Sequence, residues 1–386
     1  MSNLFTAEHE SMRSGIQRFV QQELDPHSEH WEAQGQAPLP QIFRRAGELG
    51  LLGINKPSRF GGLELDFSYV MVAAETLGHA HCASIPFAIG AHLSAIPALT
   101  AHGSDALREE FLIPAIRGEA VASIGVSEIG AGSDVSAITT RARKDGSDYI
   151  IDGAKMWITN ATHARWISLL VNTSEDRAPY RNKSLIVVPM DTPGITRGKP
   201  LHKLGMHCSD TAPVFFDCVR VPRSHLIGEE GMGFIYQMEQ FQQERMWACL
   251  RTLSALDDAI TLTADYVSER RAFGRALIDN PVIYQRLAEM QTQLEALRSL
   301  TYRAGEAIIN GGGEIVKLAS MAKYLAGKLA LEIPSTCAQF LGGQGYMWEN
   351  RIARMLRDLR IVAIGGGANE IMLEVIAKQM GWLRKK

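Results

Sequence analysis

The spacing of apolar residues changes twice along the chain, and this change limits the folds that the chain can adopt. Up to about residue 118, apolar residues recur at helical intervals, beginning after a potential N-cap at Thr6. The next hundred residues instead contain short runs of β-branched and aromatic residues, which indicate strands. After Gly231 the helical interval returns and continues. The sequence therefore predicts an α+β protein with a helical domain over 1–120, a β domain over 121–230 and a helical bundle domain over 231–386.

Individual elements can be predicted within this plan. In the β domain, Asp152-Gly153 is predicted to form a tight turn between two strands over 149–159. Further strands are predicted at 166–171, 184–189 and 214–219. In the last domain, four long helices with short glycine-containing connections favour a bundle, at about 234–267, 281–305, 314–341 and 369–382.

The charge and cysteine content narrow the possible functions. Forty Lys and Arg residues against 42 Asp and Glu residues give a net charge of −2, which argues against a nucleic-acid surface. The apolar runs are interrupted before the ~20 residues that a membrane-spanning helix needs. The five cysteines are scattered and include no CxxC pair, so reduced thiols are expected and neither a disulfide framework nor a zinc site. We expect a soluble, cytoplasmic protein without a membrane span.

Common cofactor and hydrolase motifs are missing or incomplete. The segments at 130–135 and 343–348 begin like dinucleotide-binding loops, but each lacks the third glycine and the strand–turn–helix setting. The sequence contains no phosphate-binding P-loop, no HExxH zinc motif and no GxSxG elbow. The histidine pairs at 27/30 and 79/81 lack a third ligand at workable spacing, so no metal site is predicted.

Six short segments, in order along almost the whole chain, resemble the acyl-CoA dehydrogenase family. They are Val126-Ser-Glu-Ile-Gly-Ala-Gly-Ser-Asp134, Lys155-Met-Trp-Ile-Thr-Asn160, Lys203-Leu-Gly-Met206, Glu269-Arg-Arg-Ala-Phe-Gly274, Gln339-Phe-Leu-Gly-Gly-Gln-Gly-Tyr346 and Arg357-Asp358. The resemblance implies an N-terminal helical domain, a middle β-barrel domain and a C-terminal four-helix bundle. It also implies FAD-dependent oxidation of an acyl-CoA thioester to a trans-2-enoyl-CoA, with electrons passed to an electron-transfer flavoprotein, in a homotetramer.

The resemblance also assigns roles to individual residues. Each would have an ordinary structural interpretation on its own, such as core, charged surface or turn. The family places five residues around the flavin ring and the thioester end of the substrate: Val126, Ser127, Ser133, Trp157 and Thr159. It places Arg270 and Phe273 against the FAD of a neighbouring subunit, and Gln339 and Gly343 on the adenine side of that cofactor. Ser133 and Arg245 are also expected to contact the substrate.

The sequence departs from the family where most members carry their catalytic glutamate. That position is Gly366, which cannot accept a proton, so the base lies elsewhere or the protein is inactive. Two branches of the family place the base on the first long bundle helix before an arginine, and here Glu244 precedes Arg245. Burial on that helix would raise the pKa of Glu244 and strengthen it as a base. The alternative is a surface Glu–Arg pair. Two smaller departures, Ala368 and Pro281, remove residues that usually contact FAD.

The motifs at 320–323, 345–348 and 369–372 look most like the long-chain branch, and those at 277–280 and 364–367 look similar to citronellyl-CoA dehydrogenases of terpene degradation. We therefore expect a long-chain or methyl-branched acyl-CoA as substrate. Two alternatives stay open: an acyl-CoA-binding relative without activity, and a flavin monooxygenase or oxidase on the same fold.

Overall fold

The computed structural model describes residues 4–175 and 178–383 of the chain. The N-terminal part is helical, and the first helix begins where Thr6 predicts, with the backbone N–H of Thr6 donating to His9 Nδ1 at 3.0 Å. Its α-helices are α1 (Ala7–Phe19), α2 (Ser28–Gln34), α3 (Leu39–Glu48), α4 (Phe67–Leu77), α5 (Ser84–Ala95), α6 (Pro97–His102), α7 (Asp105–Leu107) and α8 (Ile113–Ile116).

Helix α5 is apolar almost all round. Together with α6 it forms the one described helical segment, Ser84–His102, that is long and apolar enough to cross a membrane by length and composition. Its most apolar window is 72% buried inside the protein, as in the core helix of a folded domain.

The middle part is a sheet. Its strands are β1 (Ala122–Gly125), β2 (Arg141–Asp145), β3 (Asp148–Thr159), β4 (Trp166–Asn172), β5 (Lys183–Pro189), β6 (Ile195–Arg197), β7 (Thr211–Pro222) and β8 (Leu226–Ile227). Hydrogen bonding orders them β6-β7-β3-β2-β4-β5-β8, and β1 pairs with β4 in parallel. Side chains of the two long strands β3 and β7 form much of the core of this sheet, including Tyr149, Ile151, Val214 and Val219.

The predicted turn at Asp152-Gly153 is wrong. Strand β3 continues through both residues, and its pairing with β7 shifts register between Ile151 and Gly153, which marks a β-bulge. Gly153 has φ +143°, a backbone conformation that glycine adopts readily and that the bulge requires. The reversal lies earlier, where Asp145 of β2 pairs with Asp148 of β3 across two residues.

The C-terminal part is again helical. Its helices are α9 (Gly233–Glu269), α10 (Pro281–Ile309), α11 (Ile315–Leu341), α12 (Arg351–Asp358) and α13 (Asn369–Gln379), and a short hairpin of β9 (Arg271–Ala272) and β10 (Arg275–Ala276) follows α9. Pro281 occupies the first turn of α10 behind the N-cap Asn280, a position that suits proline. The predicted α+β arrangement of helical, β and helical parts is confirmed, and its parts meet between α8 and β1 and between β8 and α9.

Two of the recognised motifs join the middle and C-terminal parts. The backbone N–H of Met206 donates to the Asp358 carboxylate at 2.6 Å. A Cβ on Gly205 would lie 2.5 Å from that carboxylate, so only glycine allows this approach. The motifs at 203–206 and 357–358 therefore form a structural contact between two parts of the chain.

A partly buried carboxylate, Glu32, joins the N-terminal and middle parts. Glu32 accepts hydrogen bonds from the Ser84 hydroxyl at 2.7 Å, the Cys82 thiol at 3.2 Å and the backbone N–H of His207 at 3.0 Å. Cys208 adds a third potential metal ligand, since one ligand atom of each of Glu32, Cys82 and Cys208 lies within 4.8 Å of the others. Each of these three residues already takes part in a hydrogen bond, and all five cysteines of the chain are unbridged.

Candidate active site

A small cavity lies between α4, α5, α9 and the loop that follows α3. Its walls are mainly apolar, with six large side chains: Leu51, Ile54, Phe67, Val70, Leu93 and Trp247. Trp247 is fixed because its indole N–H donates to the Pro86 carbonyl at 2.9 Å. Five polar residues also line the cavity: Asn55, Lys56, Ser94, Gln243 and Glu244.

Glu244 lies beside the position where most family members carry their glutamate. A Cβ built on Gly366 would be 3.4 Å from Oε1 of Glu244. Gly366 has φ +67°, in the left-handed region that favours glycine. The carboxylate on α9 thus reaches the space that a side chain at 366 would enter, from the opposite element.

Two cations hold the glycine segment around Gly366. The buried Arg245 donates from Nε to the Gly366 carbonyl at 3.3 Å. The buried Lys323 of α11 donates to the carbonyls of Val362 and Gly367, the latter at 3.1 Å. Arg245, expected to bind substrate, therefore bonds to the backbone next to the Glu244 carboxylate.

Burial raises the pKa of Glu244, and the nearby charges of Arg245 and Lys323 partly oppose that rise. Among the described residues, no hydrogen-bond donor contributes to this shift. Burial also lowers the pKa of Lys323 to about 8. A desolvated carboxylate without donors is a stronger base than one in water, because water no longer stabilises its charge.

A second set of predicted residues lies in the middle domain around a buried ion pair. Lys155 Nζ lies 3.0 Å from Glu128 Oε1 and donates to the Val126 carbonyl at 2.9 Å. Glu128 also accepts from the backbone and hydroxyl groups of Thr139 and Thr140, at 2.6–2.9 Å. Burial alone would raise the pKa of Glu128, but Lys155 and the threonine donors outweigh burial and hold that pKa at about 2. The pair joins two of the recognised motifs.

Strand β3 bulges next to this pair and exposes an aromatic ring. Its pairing with β7 slips between Lys155 and Ile158. Trp157 lies in this bulge with φ +59°, and 52% of the residue is exposed. An exposed tryptophan on a strained, well-supported strand is available to stack on a flat ligand.

The other predicted residues of this set lie on β3 or on the segment that follows β1. The Ser127 carbonyl accepts from the backbone N–H of Met156 at 2.9 Å, which brings the segment containing Val126 beside Trp157. Val126 is buried, and Ser133 is exposed. The Thr159 carbonyl accepts from the Ser123 hydroxyl at 3.0 Å.

Helix α5 connects this set to the cavity. The side-chain amide of Asn160, which follows Thr159, donates to the Ala88 carbonyl of α5 at 2.9 Å. Gly90, two residues further along α5, lines the cavity and lies against Trp247. The end of β3 and the cavity that contains Glu244 therefore share one helix.

The third set of predicted residues lies elsewhere, at one end of the bundle. Arg270 ends α9, and Phe273 is fully exposed in the β9–β10 turn. Gln339 and Gly343 are exposed at the end of α11, which is next to the end of α9 because the Tyr266 hydroxyl donates to the Leu341 carbonyl at 3.4 Å. Within the described chain, no hydrogen bond or ring contact joins this set to Trp157, so its contact with the cofactor of a neighbouring subunit stays a prediction.

Four charged residues of this region had no assigned role in the sequence analysis. Glu128, Lys155 and Lys323 belong to quoted motifs, yet their pairing depends on contacts between distant segments. Lys323 had one local signal, because it interrupts the apolar face of α11. Lys56 had a similar signal, since it follows the apolar run at 51–54.

A helical, β and helical chain with an unpaired carboxylate in a mainly apolar cavity has the features of a flavin-dependent acyl-CoA oxidoreductase. The acyl-CoA dehydrogenase profiles match in all three parts: the N-terminal domain over 6–119, the middle domain over 123–219 and the C-terminal domain over 231–381. The chain belongs to the acyl-CoA dehydrogenase family.

Individual relatives agree with this assignment. The mitochondrial long-chain specific acyl-CoA dehydrogenase of Sus scrofa is 35% identical over 382 residues, covering 98% of this chain and 87% of the relative. The crystal structure of an acyl-CoA dehydrogenase from Geobacillus kaustophilus has a TM-score of 0.94 at 37% identity, covering 98% of this chain and all of the other. A glutaryl-CoA dehydrogenase of Mycobacterium smegmatis in complex with FADH2 has a TM-score of 0.92 at 25% identity, with coverages of 100% and 97%.

Acyl-CoA dehydrogenases are FAD enzymes, and the residues of this chain fit that cofactor. The exposed Trp157 offers an aromatic face for a flavin ring. Gly342 and Gly343 have open space where a Cβ would project, so a ligand can approach their backbone. Arg270 supplies an exposed guanidinium suited to a diphosphate.

Proposed function

We propose that Glu244 is the catalytic base of this acyl-CoA dehydrogenase and removes the proton α to the thioester carbonyl. The observation that carries this proposal is the 3.4 Å between its Oε1 and a Cβ built on Gly366. A glutamate on either element would bring its carboxylate to the same region, and only α9 supplies one here. The product is then a trans-2-enoyl-CoA.

The other residues prepare Glu244 for this step. Desolvation raises the pKa of Glu244, which increases its affinity for the α-proton. Arg245 and Lys323 fix the backbone at 366–367, and their positive charges limit the rise of that pKa. The apolar walls of the cavity exclude water from the acyl chain. When FAD is bound, it supplies the acceptor for the hydride that leaves the β-carbon.

We infer a long-chain or methyl-branched acyl-CoA, including citronellyl-CoA, as substrate. The mainly apolar lining of the cavity supports a hydrocarbon chain, and a long-chain specific relative is 35% identical over 382 residues. We further propose an electron-transfer flavoprotein as electron acceptor and a homotetramer as the assembly. The fully exposed Phe273 next to Arg270 supports an interface at that end of the bundle.

A substrate panel tests this function. Octanoyl-, palmitoyl- and citronellyl-CoA are added to the FAD-loaded protein without oxygen, and bleaching of the flavin absorbance is followed. Rapid bleaching by at least one thioester, with turnover in the presence of ferrocenium or an electron-transfer flavoprotein, is expected. Bleaching by none would leave an acyl-CoA-binding protein without activity. Oxygen consumption matched to substrate oxidation would instead indicate an oxidase or monooxygenase.

A further inference from the structure

Lys56 is a buried lysine that lines the cavity of Glu244. It follows the short apolar run that ends at Ile54, and only 4% of the residue is exposed. Its main chain is fixed, since its N–H donates to the Gly53 carbonyl at 3.1 Å and its carbonyl accepts from the N–H of Glu64 at 3.0 Å. The side chain therefore starts from a rigid loop at the N-terminal side of the cavity.

The ammonium group of Lys56 lacks the partners that the other buried lysines have. Lys155 binds Glu128 and a carbonyl, Lys183 donates to Pro179 and Asn182, and Lys323 donates to two carbonyls. Over residues 4–175 and 178–383, Lys56 has neither a side-chain hydrogen bond nor an ion pair, and burial is the only influence on its pKa, which falls to about 8. A buried cation without partners is costly unless a ligand supplies them.

No carboxylate in the described parts of the chain forms an ion pair with Lys56. His92 is the titratable group that interacts with it, and burial lowers the pKa of His92 to about 3, so this ring is neutral. Glu244 interacts with Arg245 and Lys323 and not with Lys56, although both side chains line the same cavity. No ion pair or hydrogen bond joins the two side chains among the described residues. Asn55, beside Lys56, adds a side-chain amide to the cavity wall without a described hydrogen-bond partner.

We propose that the Lys56 end of the cavity binds an oxygen atom at the far end of the acyl chain. The thioester end of the substrate lies at Glu244, an apolar section follows, and the chain ends at the ammonium group of Lys56. The preferred substrate is then an acyl-CoA whose distal end carries a carboxylate or a hydroxyl group. This proposal rests on the proposed function, because it takes the cavity to be the acyl site.

Matched thioesters test the proposal. For each chain length from six to sixteen carbons, kcat/KM is measured for the plain acyl-CoA, the ω-hydroxyacyl-CoA and the ω-carboxyacyl-CoA. At the best length we expect an ω-oxygenated substrate to exceed the plain one by about tenfold to a hundredfold, which is the value of a hydrogen bond to a charged group. A higher kcat/KM for the ω-carboxyacyl-CoA shows that the Lys56 end of the cavity prefers an anionic group. A higher kcat/KM for the ω-hydroxyacyl-CoA shows that it prefers a neutral hydrogen-bond acceptor. Preference for the plain chain at every length overturns the proposal.

Two variants at the same position connect the preference to the ammonium group. Lys56→Met keeps the length of the side chain without its charge, and we expect it to abolish the preference and to accept plain chains better than the parent protein. Lys56→Arg keeps the charge, and we expect it to retain a preference for the carboxylate. FAD content and the thermal midpoint of each variant verify that folding is intact. An unchanged substrate ratio in a folded Lys56→Met variant contradicts the proposal.

Binding without reaction separates this proposal from the proposed function. CoA thioethers with the same distal groups lack the acidic α-proton, so their dissociation constants report the cavity alone. If no thioester bleaches the flavin but the ω-oxygenated thioethers bind more tightly through Lys56, the dehydrogenase proposal fails and the distal subsite stands. If thioesters react and the distal group changes neither kcat/KM nor binding, the subsite fails and the dehydrogenase stands.

Discussion

The middle domain and the cavity each contain a glutamate near lysines, but the two carboxylates have opposite surroundings. Glu128 is paired with Lys155 at 3.0 Å and accepts four further hydrogen bonds from two threonines. Glu244 has no such donors in the described chain, and the cavity lysine, Lys56, has no partner either. The same residue types are thus fully satisfied in one region and unsatisfied in the other.

The pKa values show what this difference means for function. Lys155 and the two threonine donors hold the pKa of Glu128 at about 2, so this carboxylate stays ionised and fixed at any physiological pH. Burial raises the pKa of Glu244 instead, which makes proton uptake easier. A satisfied buried charge stabilises one structure, whereas an unsatisfied charge in a cavity is available to a proton or a ligand. Glu128 therefore has a structural role, whereas Glu244 is available for catalysis.

Glu244→Gln should produce the largest effect, a loss of turnover without a loss of folding stability. The amide keeps the shape of the side chain but cannot accept the α-proton. We expect kcat to fall by about 10²- to 10⁴-fold, the usual contribution of a general base. FAD content and the unfolding midpoint should stay close to those of the parent protein, because Glu244 has no described donors to lose. Near-parental turnover with acyl-CoA would refute Glu244 as the base.

Glu128→Gln should do the reverse and weaken the fold. It leaves Lys155 buried without its anion, and breaking one side of a buried pair costs about 3–5 kcal/mol of the free energy of unfolding. Urea denaturation followed by circular dichroism measures this loss. The double variant Glu128→Gln with Lys155→Met removes both charges and should recover part of the stability. A single variant as stable as the parent protein would show that the pair is not structural.

Much of the fold follows from the sequence, because apolar periodicity reports which faces of an element are buried. The helical, β and helical order, the strands at β4 and β5 and the long helices α9, α10 and α11 could all be predicted in this way. The Asp152-Gly153 turn could not. The dipeptide favours a tight turn locally, but pairing of β3 with β7 on both sides of Gly153 turns it into a bulge.

The candidate site also contains residues that the sequence predicts and residues whose roles depend on tertiary contacts. Glu244 could be predicted because the glycine at 366 left the common base position empty and a Glu–Arg pair was present on the first bundle helix. The roles of Lys155, Lys323 and Lys56 could not, since each depends on which segment packs against it. Lys155 meets a residue 27 positions away, and Lys323 meets a loop 44 positions away. Sequence spacing alone contains no information on these contacts.

Lys323→Met should shift the acid limb of the pH–rate profile. Glu244 must be ionised to accept a proton, so kcat/KM falls as pH drops through its pKa. The positive charge of Lys323 lowers that pKa, and its removal should therefore move the acid limb to higher pH. Lys323→Arg keeps a positive charge and should leave the limb near its original pH. A shift to lower pH in the methionine variant would contradict the assignment of the limb to Glu244.

Moving the base to the common family position should give the smallest effect. Gly366→Glu in a Glu244→Ala background returns a carboxylate to a Cβ site 3.4 Å from the original one, in space that the alanine has vacated. The φ of +67° at residue 366 opposes this, because a side chain in the left-handed region costs roughly 1–2 kcal/mol. We expect kcat to rise only several-fold above that of Glu244→Ala alone, measured with the best thioester of the panel. Gly366→Gln in the same background offers similar bulk without a base and should give no rise. Equal activity of the glutamate and glutamine variants would show that the space opposite Glu244 does not reach the reacting carbon, and that the 3.4 Å approach has no catalytic meaning.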